Sequence, residues 1–441
     1  MINSKNISPW FWVPTLYFAE GVPYFIVNNI SVMMFTKMGV PNGDMAFFTT
    51  LLYFPWFLKG LWSPLVDVLK TKRWWIVTMQ ALLTALMVLL TLTLPTPAPQ
   101  MISLGNTPIS LFTLTLILFI IAAFASATHD IAADGYYMLA HSPSSQARFI
   151  GIRSTFYRIA SVFGQGVLVF IAGSIEKSTG NIPYSWRVTL GVSAAIFFII
   201  TLYHTFFLPV ADDDRPRTNT AETTSGKDKW AELGKSFYTF SHKPHVWWAI
   251  AFMLLYRLPE GFLIKMCQPF LVHSTDQGGL GLSTELVGVV YGTFGVIALL
   301  AGGILGGIIA SRRGLKRSLW IMAAAITLPC ITFVYLAAFQ PSNIGIITLA
   351  LCIEQFGYGF GFTAYMLYMM YFSEGEFKTS HYAICTAFMA LSMMIPGFVA
   401  GYIQEAIGYV NFFWMVMACC VATIGITFFI RRQVDEEYGR K

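Results

Sequence analysis

The chain has 441 residues, of which 56% are hydrophobic and 11% charged, where a soluble domain carries about 25% charged residues. With a mean hydropathy of +0.62, that composition excludes a water-soluble globular protein and points to a polytopic membrane protein. The formal charge of +6 fits basic flanks at a membrane surface, and no nucleic-acid partner is expected.

A membrane span needs about 20 mostly apolar residues, and on that rule the chain is expected to form about twelve. They fall at 10–36, 45–66, 74–94, 110–137, 149–174, 186–208, 246–271, 285–310, 318–339, 344–372, 382–404 and 411–430. The first run is too long for a cleavable leader and carries Glu20, so it reads as a span. Many Trp residues, among them Trp10, Trp12, Trp74, Trp186 and Trp247, stand at the edges of apolar runs and read as an interfacial belt. The six cysteines lie in apolar segments without metal-ligand spacing and read as core residues.

Residues 209–245 are polar: they begin like a linker, and their end, WAELGKSFYTFSHK, has the pattern of an amphipathic surface helix. The chain therefore divides into an N-terminal six-helix bundle (1–208), a linker (209–245), a C-terminal six-helix bundle (246–430) and a tail (431–441). Outside the spans and linker, one side collects fourteen Lys and Arg residues and the other only Lys37, Lys177 and Arg187. That bias places both termini and the linker in the cytoplasm.

The halves are weakly alike. Glu20-Gly21 recurs as Glu260-Gly261, and AGSIEKSTG at 172–180 recurs as AGYIQEAIG at 400–408. Charged and polar groups inside spans are costly and mark function or pairing. The hairpin 124–166 holds Asp130, Asp134, Arg153 and Arg158, and folding it at 139–147 puts each acid near the depth of a base, with Asp130 opposite Arg158. Asp130 and Asp134 share a helix face with Tyr137, while Ser154, Arg158, Ser161 and Gln165 form a second stripe.

Four stretches carry a family resemblance: YFAEGVPY (17–24), PWFLKGLWSPLVD (55–67), ATHDIAADGYYM (127–138) and the segment 380–409. They resemble the AmpG-like branch of the major facilitator superfamily, the muropeptide permeases and their acetyl-coenzyme A transporter relatives. The loops KGLWSPLVDVLKTKRWW and GGIIASRRGLKR are similar to that superfamily's Gly-Asp-Arg-rich cytoplasmic signature, with Ser311 where the second copy would carry an acid. The resemblance implies an all-α integral membrane protein of the major facilitator fold, with two pseudo-symmetric six-helix bundles in the bacterial inner membrane. It also implies proton-driven import of cell-wall fragments containing N-acetylglucosamine and anhydro-N-acetylmuramic acid. By position Asp130 and Asp134 match the family's paired acids of the fourth span, and Lys59 with Asp67 its second-span motif. His129 stands where Gln is expected, and the chain has fewer spans than the longest members.

Proton coupling requires a carboxyl group that loses and regains its proton as access alternates, and a carboxylate firmly paired with Arg holds its charge. Glu20, with no basic residue near it in its own span, is the better carrier, with Glu354 and then Asp130 behind it. Arg158, Asp130, Tyr137, Tyr157, Asn28, Gln165, Arg257 and Glu260 are the candidate solute contacts, supplying donors, acceptors and an aromatic wall. Asp67, Lys59, Arg73, Asp134 and Arg153 are candidate gating charges. Against these readings, the Asp–Arg pairs would only hold helices together, Arg257–Glu260 would be a simple intrahelical pair, and His129 would donate to a backbone carbonyl. The glycine clusters at 302–307 and 357–361 read as close helix packing, since no Lys-Ser/Thr follows as a nucleotide loop needs.

No catalytic or metal-ligand motif is present, so neither enzymatic activity nor a cofactor is expected. The partners are a small-molecule solute, protons and lipid, and a monomer is expected. The competing solutes are another oligosaccharide, a nucleoside or an acyl-coenzyme A, and the different-class alternative is a membrane sensor that does not transport.

Overall fold

The computed structural model describes residues 7–94, 101–104, 107–140, 143–211, 214, 235, 237–375, 378–436 and 438. The expected linker stretch 215–234 and the end of the expected tail lie outside these residues, and of the surface-helix segment residues 237–241 are helical.

Eight helices among the described residues are long and apolar enough to cross a membrane. One of them, His381–Gln433, is two spans meeting at Gly408, whose φ of 74° and ψ of 167° no helical residue adopts. Three further spans are interrupted. The first runs Pro9–Phe25, through a π turn at Ile26–Ile30, to Ser31–Lys37. The second is Asn42–Leu51 followed by Phe54–Leu69, restarted with Pro55 in its first turn, where a missing N–H does no harm. The seventh is Val246–Leu255 followed by Leu258–Val272, broken at Arg257 ahead of Pro259. Counted in this way, the described residues cross twelve times, as expected from the apolar runs. The fifth and eighth spans also carry π turns, Phe163–Leu168 and Val290–Gly295. Two four-residue strands, Met101–Leu104 and Thr107–Ser110, pair antiparallel between the third and fourth spans.

Span starts are set locally. Asn181 Oδ1 accepts from Tyr184 N at 3.0 Å, Asn343 Oδ1 from Gly345 N at 2.8 Å, and Thr71 Oγ1 from Trp74 N at 3.1 Å, each satisfying an orphan first-turn amide.

The chain forms two compact units. Unit one holds Met1–Val40, Leu51–Thr223 and Thr284–Gly292, and unit two holds Pro41–Thr50, Thr224–Ser283 and Thr293–Lys441. The second and eighth spans are thus each divided between units, after Thr50 and after Gly292. Unit one has a core of Trp12, Leu16, Tyr17, Ala132, Tyr136 and neighbours, while unit two centres on Phe252, Tyr256, Met322, Tyr365 and Tyr368. Outward-facing apolar side chains such as Leu92, Trp247, Phe339 and Val421 stand exposed, as side chains covered by lipid must. The interfacial belt needs one correction: Trp12 and Trp186 are 2% and 0% exposed and belong to the core. All six cysteines are free, and four of them are buried.

Within unit two, glycines seal the eighth, ninth and tenth spans together. A Cβ on Gly302 would lie 2.1 Å from Phe356 O, one on Gly359 2.0 Å from Leu299 O, and one on Gly357 2.2 Å from Ala325 O. Gly303, one residue along, would meet only Gly359 O at 3.7 Å. Gly302→Ala is therefore expected to destabilise by about 1–3 kcal/mol through overpacking, whereas Gly303→Ala leaves stability unchanged or slightly raised. Thermal unfolding in detergent distinguishes them, and equal melting temperatures would contradict this packing.

Candidate functional site

In unit one, five charged side chains from four spans form one cluster. Lys59 of the second span pairs with Asp130 Oδ2 of the fourth, and Arg153 Nη2 of the fifth lies 2.6 Å from Asp134 Oδ1. Tyr17 of the first span donates to Asp134 Oδ1 at 3.3 Å, and the Arg153 guanidinium lies 4.4 Å from the Tyr17 ring centroid and 5.7 Å from that of Tyr137. Glu20, 5% exposed, reaches the Asp130 carboxyl with one oxygen, while its Oε2 is buried without a hydrogen-bond partner. Two carboxyl groups sharing a hydrogen bond need one proton between them. Three acids thus face two cations, and the cluster is neutral when one acid is protonated.

The pairing differs from the one expected. Asp130 takes Lys59 rather than Arg158, which is exposed and has no ion-pair partner among the described residues. The reason is rotational: Arg153 and Arg158, five residues apart on one helix, point about 140° apart, so both cannot address two acids that share a single face. Glu20 is likewise less isolated than its own span suggests, since Arg153 and Lys59 lie within its electrostatic reach.

The remaining candidates of unit one surround the helix breaks. Asn28 donates to Tyr24 O at 3.1 Å and keeps a buried, unpartnered Oδ1. Asn29, in the same π turn, donates to Gln165 Oε1 at 3.2 Å, and Gln165, in the second π turn, donates to Ser161 Oγ at 2.9 Å. Gly292, in the third π turn, lies so close that a Cβ there would fall 1.9 Å from Gln165 O. Tyr157 packs 6.4 Å from Tyr24 and 5.7 Å from Phe25, and Trp56 stands edge-on to Tyr24 at 5.1 Å, completing an aromatic wall. Arg73 grips the end of the sixth span, donating to Thr205 O at 2.6 Å and Leu208 O at 2.9 Å. The side chain of Asp67 lies outside those described.

Several partners escaped the sequence reading. His129 does not turn to a backbone carbonyl: the Gln80 amide nitrogen stands 2.9 Å from His129 Nε2 and 2.9 Å from His204 Nδ1, and the Thr15 hydroxyl 2.9 Å from His204 Nε2. Asp214 accepts from the backbone amides of Lys72 and Arg73 at 2.6 and 2.9 Å, capping the third span. A polar Gln or His inside an apolar run was the available signal for the first network; nothing local marked Asp214 as a cap for a residue 142 positions away.

In unit two, Arg257 sits in the break of the seventh span. It donates to the Tyr358 hydroxyl at 2.5 Å, and its guanidinium lies 4.7 Å from the Phe362 ring centroid and 5.7 Å from that of Tyr365. It caps the helix that carries Glu260 and acts on that carboxyl through space, with no Arg257–Glu260 ion pair among the described residues. Glu260 hydrogen-bonds Glu354 of the tenth span, and Glu354 accepts from Gln355 Nε2 at 2.9 Å. Lys265 turns to Thr49 Oγ1 at 3.2 Å. Among the described residues no three His, Cys, Asp or Glu side chains converge as metal ligands.

Twelve spans with polar clusters at their breaks define a polytopic membrane carrier. The model of the Major Facilitator Superfamily matches residues 15–395, and the chain belongs to that superfamily. It is similar along most of its length to AmpG-like permeases. It is 25% identical over 430 residues to the putative transporter AmpG 4 of Rickettsia conorii, covering 94% of this chain and 95% of the relative. It is 23% identical over 425 residues to the anhydromuropeptide permease of Escherichia coli K12, covering 95% and 79%. Among solved structures, a D-xylose–proton symporter superposes with a TM-score of 0.71 at 12% identity over 98% of both chains. The nucleoside transporter NupG superposes at 0.67 with 14% identity, covering 96% of this chain and 98% of that one. At such identities these two structures speak for the fold alone.

The observed pairing makes a double-mutant prediction. Asp130→Asn and Lys59→Met each destabilise, and the double variant is less destabilised than the sum by about 0.5–3 kcal/mol, whereas Asp130→Asn with Arg158→Gln is additive. Unfolding of the four variants in detergent measures this. A coupled Asp130/Arg158 pair would refute the assignment.

Proposed function

We propose that this protein is a proton-coupled importer of a muropeptide, or of another saccharide containing an amino sugar, working by alternating access in the bacterial inner membrane with both termini cytoplasmic. The observation that carries the reading is the cluster in which buried Glu20 meets the partly exposed Asp130 and Asp134 with Lys59 and Arg153, and which holds one acid more than it holds cations. A bound proton balances the excess acid while Glu20 is shut away from water, and the proton can leave where water reaches the cluster. Glu20 carries the proton and Asp130 receives or returns it, while Asp134, Arg153, Lys59, Asp67 and Arg73 are the gating charges.

The solute contacts are Arg158, Tyr157, Tyr137, Asn28 and Gln165. Arg158, exposed and without an ion-pair partner among the described residues, offers a site for the carboxylate of a peptide-bearing sugar. The open Oδ1 of Asn28 and the amide of Gln165 match sugar hydroxyls, with the rings of Tyr157 and Tyr24 as a stacking surface. Similarity to a permease named for anhydromuropeptides favours this solute class over others. The protein acts as a monomer.

Uptake of labelled anhydro-muropeptides into vesicles reconstituted with the full chain tests the reading. An imposed inward pH gradient should drive accumulation that acidic muropeptides compete for and neutral disaccharides do not, and equal competition by neutral disaccharides would rule out the muropeptide version. Glu20→Gln is expected to abolish gradient-driven accumulation while leaving downhill exchange partly intact. If exchange is lost with it, or neither is affected, the proton carrier lies elsewhere.

A further inference from the structure

The recurring Glu-Gly of the first and seventh spans has a counterpart in what those glutamates touch. Glu20 meets an acid of the fourth span, and Glu260 meets an acid of the tenth, the corresponding span of the second half. The two acids do not share a rung: Asp130 is the twentieth residue of the helix Leu111–Ala140, whereas Glu354 is the eleventh of Ile344–Ser373. What recurs is therefore the contact between two spans rather than a copied sequence position.

We propose that unit two holds a proton-binding site of its own, the carboxyl pair Glu260–Glu354, so that the carrier moves two protons per solute. This rests on the proton-coupled reading above and deepens it. Glu260 and Glu354 are 2% and 3% exposed and share a hydrogen bond, which requires one proton between them. Glu260 Oε2 is buried with no hydrogen-bond partner, as Glu20 Oε2 is in unit one. The charge count agrees. Among the described residues Arg257 acts electrostatically on Glu260, while Lys265 donates to Thr49. Two acids and one cation are neutral with one proton bound, the same balance as three acids and two cations.

Among the described residues, other titratable groups near the pair are thiols and phenols. Cys330, in a 3-10 turn of the ninth span at Leu328–Cys330, and Cys420 of the twelfth lie within electrostatic reach of it, and Tyr358 and Tyr365 flank Arg257. None supplies a second positive charge, so a proton is what neutralises the site. The Arg257 guanidinium is held by the Tyr358 hydroxyl and the Phe362 face while it acts on Glu260 through space.

Two measurements test this on the full chain in lipid vesicles. With no solute present, infrared difference spectra follow the C=O stretch of protonated carboxyl groups as pH is varied. Two titrating carboxyl signals are expected, one removed by Glu20→Gln and the other by Glu354→Gln or Glu260→Gln. A titrating signal lost in full with Glu20→Gln, or left unchanged by both unit-two variants, overturns the second site. So does a Glu260–Glu354 band that persists at every pH, because a proton that never leaves couples to nothing.

The second measurement uses an anhydro-muropeptide as probe, at zero membrane potential and a pH gradient of about one unit. Two coupled protons support accumulation of about 100-fold and one proton about tenfold. Wild type near the higher value, falling to the lower in Glu354→Gln, supports the proposal; wild type at the lower value overturns it even if the variants do not fold. Absence of any accumulation by wild type counts against the muropeptide reading, and the infrared titration then decides the proton site by itself.

Discussion

A charged side chain in hydrocarbon has no water to fall back on, and each one left at mid-membrane costs about 2.5–3.5 kcal/mol even on the lenient insertion scale. The interior of this protein is arranged around that penalty. Asp130 finds Lys59, Asp134 finds Arg153 and the Tyr17 hydroxyl, and Arg257 finds a phenol and two aromatic faces. Glu20, Glu260 and Glu354 find other carboxyl groups instead, and those contacts hold only with a proton present. The groups whose pairing is incomplete are the ones available for a cycle.

The helix breaks belong to the same economy of polar groups. A π turn or a Pro-induced gap frees backbone carbonyls that must be satisfied where no water reaches. In unit one the breaks at 26–30 and 163–168 are joined by Asn29 and Gln165 side chains, and in unit two the break at Tyr256–Arg257 places the guanidinium against Tyr358. Breaking the helix at these places lets a polar side chain leave the regular 100° rotation and point where a straight helix would not send it. Three spans fall short as continuous helices for this reason, although their apolar runs are long enough.

Span number and order were legible because apolar length is a one-dimensional quantity, read directly along the chain. The glycine seams were legible for a related reason: a small residue repeated in an apolar run has few uses besides close approach, and Gly302, Gly357 and Gly359 meet backbone oxygens as expected. Pairings were legible only in part. Matching residues by distance from the 139–147 turn ignores rotation about the helix axis, and so it assigned Asp130 to Arg158 when Lys59, 71 residues away, faces it. The His129–Gln80–His204 network and the Asp214 cap join residues from different spans, and no local pattern records which spans will be neighbours. Trp12 and Trp186 misled for the opposite reason, standing at span edges in sequence while filling the core in space.

The two halves reach one electrostatic balance by different wiring. Three residues before the Glu-Gly pair, the first span has Tyr17 and the seventh has Arg257. In unit one the cations therefore come from other spans, Lys59 of the second and Arg153 of the fifth, and the phenol only adds a hydrogen bond. In unit two the cation comes from the glutamate's own span, made available by the helix break. A repeat conserved only for packing would keep the glycine at position 21 or 261, where an added Cβ would fall 2.7 Å from Ala160 Cβ or 2.4 Å from Pro396 Cγ, but would have no reason to keep the acid beside it. Each half has a glutamate beside that glycine and a second acid for it to touch, a likeness that close packing of the glycine does not account for. Reorienting a cluster with net charge through hydrocarbon is expensive, and a bound proton would remove that charge in either half.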